Sequence, residues 1–252
     1  MIKDGLNLLR EAFFLFLYQR PLYFWLTLLF SFFLAGFCWW LASHYTQLWN
    51  RTFKVKLVHH FFCGIASLMT FIFVSTFFCL GFTKTAGRDQ INRWGYELVR
   101  NEEWENRTFE QARRAVWNLG IEPAYEWTNP HIIPTTTYQS RLTVATIYVS
   151  NATKSFLSMH PFLGKILDLN ITKAETLAKK DMDAYFALGG TTYDDRRAIG
   201  LISSYLIWSL DQQTPRLSFL FRVLLVVLFL FTQSIPFTLI GIAAYRDIKI
   251  QT

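Results

Sequence analysis

The sequence predicts an all-α membrane protein: three transmembrane helices, with an all-helical soluble domain inserted between the second and third. Three observations carry that prediction. Residues 22–42, 61–82 and 223–245 are apolar runs that contain no Asp, Glu, Lys or Arg. As helices rising about 1.5 Å per residue they reach roughly 31–35 Å, enough for a hydrocarbon core of about 30 Å. Between the second and third run lies a polar block, 83–216, without a cysteine and long enough for a core of its own. Inside that block apolar residues recur at spacings of three and four, interrupted by caps, glycines and prolines.

The first segment, 1–21, reads as an amphipathic helix lying in the membrane interface. Leu6, Leu9, Phe13 and Phe16 share one helical face, with Lys3 and Arg10 available to the polar side. It lacks the features of a secretory leader, because Arg10 and Glu11 interrupt a short apolar stretch and no small-x-small site follows. Pro21 turns the chain into the first span, 22–42. Tyr18, Tyr23 and Trp25 mark one end of that span, and Trp39, Trp40 and the loop residue Trp49 the other, the headgroup positions that amphipathic rings prefer. The loop 43–56 is too short for a domain, so the second span, 57–82, returns antiparallel and completes a hairpin over 22–82. Gly64 and Ser67, three apart, give that span a face on which another helix can approach closely.

In the polar block, Ile91, Trp94 and Leu98 follow the helical period through 84–103. Thr108 and Gln111 have the spacing of a capping box, followed by Phe109, Ala112, Val116 and Leu119 on one face and Gly120 as a stop. Pro123, Pro130 and Pro134 make 121–137 a loop. A seam of Leu142, Ala145, Val149, Ala152, Phe156 and Met159 predicts a helix ending at Pro161, although Thr, Val, Ile and Tyr over 142–149 also suit a strand. Thr172 and Glu175 match a second capping box, opening a helix with Ala174, Leu177, Ala178, Met182, Tyr185 and Leu188 on its face and Gly189–Gly190 at its end. Asp194 or Asp195 starts the last soluble helix, with Ile199, Ile202, Tyr205, Leu206 and Leu210 inward and Pro215 as its end. The third transmembrane helix and a short basic tail fill 217–252. Arg222 follows Leu217 to Phe221 in the apolar approach to that span, and Pro236 frees the Thr232 carbonyl in mid-span.

The net charge of +7 does not point to nucleic acid. Residues 83–216 hold 16 Lys and Arg against 15 Asp and Glu, so nearly all the excess flanks the spans, where it meets anionic lipid. The loop and tail carry Arg51, Lys54, Lys56, Arg246 and Lys249; the N-terminal segment carries Lys3, Arg10 and Arg20. That bias puts the loop and tail in the cytoplasm and the polar block outside it. Cys38, Cys63 and Cys79 all fall in spans, so no disulfide framework supports the block, which suits a bacterial inner membrane. Sequons stand at Asn50, Asn106, Asn151 and Asn170, a mild excess over chance.

Three chemistries compete with blander alternatives. His44, His59 and His60 lie near one membrane face, where imidazoles from two helices can ligate a haem; interfacial histidines more often contact headgroups and loop carbonyls. Thr232, Gln233, Ser234 and Pro236 are the polar cluster at depth, and a broken helix of this kind can line a transport pathway; satisfaction by a neighbouring helix is the commoner outcome. His131 and His160 lack a Ser/His/Asp or H-x-x-x-H setting, and Glu102, Glu103 and Glu105 read as a solvated helix end, so neither an enzyme nor a cofactor is expected. What remains is a non-catalytic scaffold that docks other subunits of a membrane complex, or further copies of itself, through the helical domain. Tyr125 and Trp127 in the proline-rich loop are the candidate contact, the alternative being that Trp127 covers the block's own core.

The closing run FRVLLVVLFLFTQSIPFTLIGIAAYRDIKI, residues 219–248 with Arg222, Pro236 and Arg246–Asp247–Ile248, resembles the membrane proteins of integrating conjugative elements encoded beside the coupling ATPase. The resemblance is confined to that run and implies an inner-membrane component of a conjugation or type IV secretion machinery, with its tail inside the cell. The chain departs from that pattern in its hairpin before the block and in stopping where the family continues into further spans.

Overall fold

The computed structural model describes residues 2–48, 50–51, 53–130, 133–167, 171–190 and 195–251. Trp49, His131, Asn170 and Asp194, and the side chains of Thr172, Ala174, Glu175 and Ala178, lie outside the described residues. Among the described residues the structure is helical, without a strand. In chain order the helices are α1 (Ile2–Gln19), α2 (Pro21–His44), α3 (Leu57–Cys79), α4 (Thr83–Val99), α5 (Glu102–Leu119), α6 (Tyr138–Met159), α7 (Pro161–Ile166), α8 (Ile171–Ala187) and α9 (Asp195–Gln251). Three helical segments are long and apolar enough to cross a membrane: Pro21–Leu48, Leu57–Val99 and Arg196–Ile250. The chain divides into two units, Met1–Leu8 with Lys84–Thr214, and Leu9–Thr83 with Pro215–Thr252.

The unit of residues 9–83 and 215–252 is built on the α2–α3 hairpin. Contacts run in opposite chain directions: Phe30 meets Phe78 at 6.5 Å, the Ser67 hydroxyl donates to the Ala35 carbonyl at 3.0 Å, and Trp39 meets His60 at 6.3 Å. Small residues set the separation, with the Trp39 ring lying over Gly64. Thr27, Ser31 and Thr70 donate back to carbonyls one turn earlier, which keeps their hydroxyls satisfied inside an apolar helix. Phe16 of α1 is held between Phe24 and Phe82, with ring centroids 5.4 and 4.7 Å away.

Helix α1 has a second apolar stripe beside the one its spacing picked out. Leu8, Ala12 and Phe16 are buried, whereas Leu6, Leu9 and Phe13 are exposed. The helix is apolar on two sides, and the stripe with Ala12 is the one that fits closely against protein, since a small side chain lets the backbones approach.

In the unit of residues 1–8 and 84–214, α4 and α9 lie close together because Gly87 and Gly95 carry no side chain. A Cβ on Gly87 would stand 2.9 Å from Leu210 Cδ2, and one on Gly95 2.8 Å from Ser203 Oγ. Ile91, Trp94 and Leu98 of α4 and Ile199, Ile202, Tyr205, Leu206 and Leu210 of α9 are all buried, as their periodicity predicts. Trp94 packs edge-on against Phe156 of α6 at 5.2 Å. A second cluster joins Phe109, Ala112 and Val116 of α5, Val144, Ala145 and Tyr148 of α6, and Met182 of α8. Residues 142–149 are helical, begun by the Thr137 side chain accepting from the Ser140 N–H.

Two boundaries depart from expectation. Helix α5 starts at Glu102, capped by Asn101, whose side chain accepts from the Trp104 N–H at 2.9 Å. Thr108 and Gln111, spaced as a capping box, instead receive the Asn151 amide of α6 at 3.3 and 2.7 Å. Helix α9 does not end at Pro215 but runs through Pro215 and Pro236 for 57 residues. Each proline removes one backbone donor, yet the helix continues through both. Gly120, in the left-handed region with φ 66°, stops α5 as expected.

Candidate functional site

The polar residues of α9 separate according to the side of the helix they occupy. Gln233 is 8% exposed and donates to the Ala66 carbonyl of α3 at 3.2 Å and to the Thr70 hydroxyl. Thr232, half-buried, and Ser234, exposed, donate within their own helix, to the Leu228 and Phe231 carbonyls at 2.7 Å each. The three side chains therefore do not converge on one space. Gln233 joins two helices, and its neighbours satisfy themselves.

One to three turns further along α9, the hairpin loop closes onto the same helix. The Tyr45 hydroxyl donates to the Phe237 carbonyl, in space left by Gly241, where a Cβ would come within 2.6 Å of the phenol oxygen. Asn50 is buried; it donates to the Ala244 carbonyl at 3.2 Å and to Asp247 at 3.3 Å, while its own oxygen accepts from the Phe53 N–H. Ala42, Phe53, Cys63, Ile240 and Ala244 form the apolar core beside these bonds. The sequence showed Asn50 only as a sequon and Tyr45 not at all; the loop's polarity hid that both address a helix at the far end of the chain.

The loop 121–137 is organised by a carboxylate. Glu122 is 7% exposed, and its Oε1 accepts from the Thr136 N–H (2.6 Å), the Thr136 hydroxyl (2.8 Å), the Thr137 N–H (2.6 Å) and the Ser140 hydroxyl. Burial pushes this carboxyl upward, but the four donors, led by Ser140, outweigh it and hold Glu122 below the usual carboxylate range. The fold so imposed separates the two candidate contact residues. Tyr125 is 61% exposed, its hydroxyl raised by a hydrogen bond with Glu126. Trp127 is 4% exposed and belongs to the core of α5, α6 and α8, with its carbonyl accepting from Arg113 at 3.4 Å. The expectation of an exposed Trp127 is thus corrected: the indole covers the unit's own core, and the exposed aromatic of the loop is Tyr125.

The three histidines near the hairpin loop are engaged one by one. His44 Nδ1 lies 2.9 Å from the Trp40 carbonyl, His60 Nδ1 accepts from the Trp39 indole at 3.4 Å, and His59 Nδ1 accepts from the Lys56 N–H at 3.2 Å, closing the start of α3. Among the described residues no three His, Cys, Asp or Glu side chains gather into a metal-sized group. His160 lies 3.7 Å from Asp4, which accepts from the Phe162 N–H at 2.8 Å and so anchors residues 2–8 to the start of α7. Of the α5 acids, Glu105 is buried and Glu102 and Glu103 are exposed in the first turn, where negative charge suits the helix dipole. Asp211 of α9 receives Arg88 and, at 3.2 Å, Lys84, both from α4.

No family model matches this chain, and neither a curated protein nor a solved structure shows significant similarity to it.

Proposed function

We propose that the chain is a non-catalytic integral membrane scaffold subunit of a multiprotein assembly, with residues 83–216 standing as a helical domain in the aqueous compartment between its second and third spans. The observation that carries this reading is the use made of Gln233. This buried polar side chain in the middle of the third apolar run is spent on joining α9 to α3, and Thr232 and Ser234 bond their own helix. Polar groups employed in this way hold a bundle together. A transport pathway would instead keep them directed at a common lumen, so the transporter reading has less support.

The orientation that the basic loop and tail favour puts the helical domain outside the cytoplasm of a bacterial cell, and the cysteine-free block suits a bacterial membrane protein on either face. The resemblance of residues 219–248 makes a conjugation or type IV secretion machinery the first assembly to test. Tyr125, presented on a loop that Glu122 fixes, is the contact residue we favour, since an exposed aromatic on an ordered loop loses little entropy on binding. The test is recovery of other membrane proteins with the tagged, detergent-solubilised chain. Tyr125→Ala should lower that recovery several-fold and leave the chain's own melting temperature unchanged. Solute flux through liposomes holding the purified chain alone, abolished by Gln233→Leu, would overturn the scaffold reading in favour of transport.

A further inference from the structure

We infer that Arg222 is the seat of a phospholipid phosphate, a site for an anionic glycerophospholipid between α3 and α9. The residue stands inside an apolar stretch, with Leu217 to Phe221 before it and the uncharged run 223–245 after it. A guanidinium in such surroundings costs free energy unless something negative or polar meets it. Two contacts fix its position. Its Cζ lies 5.2 Å from the centre of the Phe77 ring, so the cationic plane rests against an aromatic face of α3. Its Nη2 occupies space beside Gly81, 3.6 Å from where a Cβ would stand. Its Nε is buried without a hydrogen-bond partner, so the donors that a ligand can reach are the two Nη groups of the fork. A planar fork held on one face by a ring, with donor capacity left over, matches the two free oxygens of a phosphodiester.

The surroundings favour a lipid over a soluble anion. The thiol of Cys79, at the end of α3, points to the Leu9 carbonyl of α1, and Phe82 stacks on Phe16 one turn before Arg20. The segments at this end of the unit therefore carry Arg10, Arg20, Arg216 and Arg222 against one carboxylate, Glu11. The Arg20 guanidinium lies over the Tyr23 ring at 5.7 Å, an aromatic of the kind that occupies the headgroup layer. A phosphate at that level, with acyl chains lying along the exposed Phe219, Val223 and Val226, meets charge and grease in the order that a lipid supplies them.

This inference rests on the membrane-spanning part of the proposed function and not on any partner, so a failure to recover partners leaves it intact. The test uses the full chain in neutral detergent, with phosphatidylglycerol, phosphatidylcholine or inorganic phosphate added. Thermal melting and native mass spectrometry are the readouts. Phosphatidylglycerol should raise the melting temperature by roughly 5 °C and remain bound in the mass spectrum. Phosphatidylcholine should give less than half that shift, and inorganic phosphate none. Arg222→Gln should abolish the increment and the retained lipid. Should that variant fail to fold, Arg222→Lys, a point charge without the fork, should lose at least half of it. An unchanged shift in these variants, or an equal shift from phosphatidylcholine or inorganic phosphate, overturns the site.

Discussion

Glu122 shows how one side chain can replace a secondary-structure element. The loop 121–137 has three prolines and a short 3-10 helix at Ala124–Glu126, and four donors from Thr136, Thr137 and Ser140 end on one carboxylate oxygen. Glu122→Gln removes the charge from these bonds and should lower stability by about 1–3 kcal/mol. The sign of the pH dependence follows from the lowered carboxyl. The stabilisation is complete above the ordinary carboxylate range, about pH 4.3, and is lost as pH falls through the lower folded-state value. Urea unfolding of the detergent-purified chain at about pH 7 and about pH 3 should show this acid loss, and Glu122→Gln should flatten it; equal acid sensitivity in the variant would exclude Glu122 as the source. Gln233→Leu should cost less, about 0.6–1.7 kcal/mol, because Thr70 keeps its bond to the Ala66 carbonyl. A melt in detergent checks that value. Neither partner set was legible in the sequence: a proline-rich loop has no periodicity to show that Trp127 turns inward, and the depth of Gln233 was evident while its partner on α3 was not.

Among the elements, legibility followed how one-sided each helix is. Helices α4 and the first part of α9 have a single apolar face, and every inward residue named from their spacing is buried. Helix α1 has two apolar stripes; spacing picked out Leu6, Leu9 and Phe13, which are exposed, and missed Leu8 and Ala12, which with Phe16 are buried. For helix α5 the sequence points to the Thr108–Gln111 spacing as the start and passes over Asn101. Asn101, followed by Glu102, Glu103 and Glu105 in the first turn, is the one in use, while Thr108 and Gln111 hold Asn151. Pro215 misled because a proline does not always end a helix, whereas Pro236 stands inside the helix as its mid-span place predicts. The glycines of helices give paired predictions. Gly95→Val would drive a side chain into Ser203 of α9 and should destabilise by about 1–3 kcal/mol. Gly200→Ala, on the same α9 but with open space around it, should stabilise by up to about 1 kcal/mol through helix propensity. Thermal melts of the two variants should move in opposite directions; a shared direction would contradict the close α4–α9 approach.

For the whole molecule, the deciding feature is the surface of α2, α3 and α9. Leu22, Trp25, Leu29, Phe32 and Phe33 on α2, Leu68 and Ile72 on α3, and Leu224, Val227 and Phe231 on α9 are all exposed. An apolar surface of this extent is ordinary against acyl chains and drives aggregation in water. The chain should therefore stay monodisperse in size-exclusion chromatography with detergent and aggregate when the detergent is removed. This much was legible from uncharged runs alone, since lipid as solvent leaves a composition signal that needs no tertiary information. Opposite placement of the loop and the helical domain is the central claim, and cysteine labelling tests it most directly. In a chain with Cys38, Cys63 and Cys79 changed to serine, single cysteines at exposed positions, Arg51→Cys or Glu126→Cys, would be probed with a membrane-impermeant maleimide in spheroplasts. The account predicts labelling of Glu126→Cys in intact spheroplasts and of Arg51→Cys only after permeabilisation; labelling of both from the same side would contradict it.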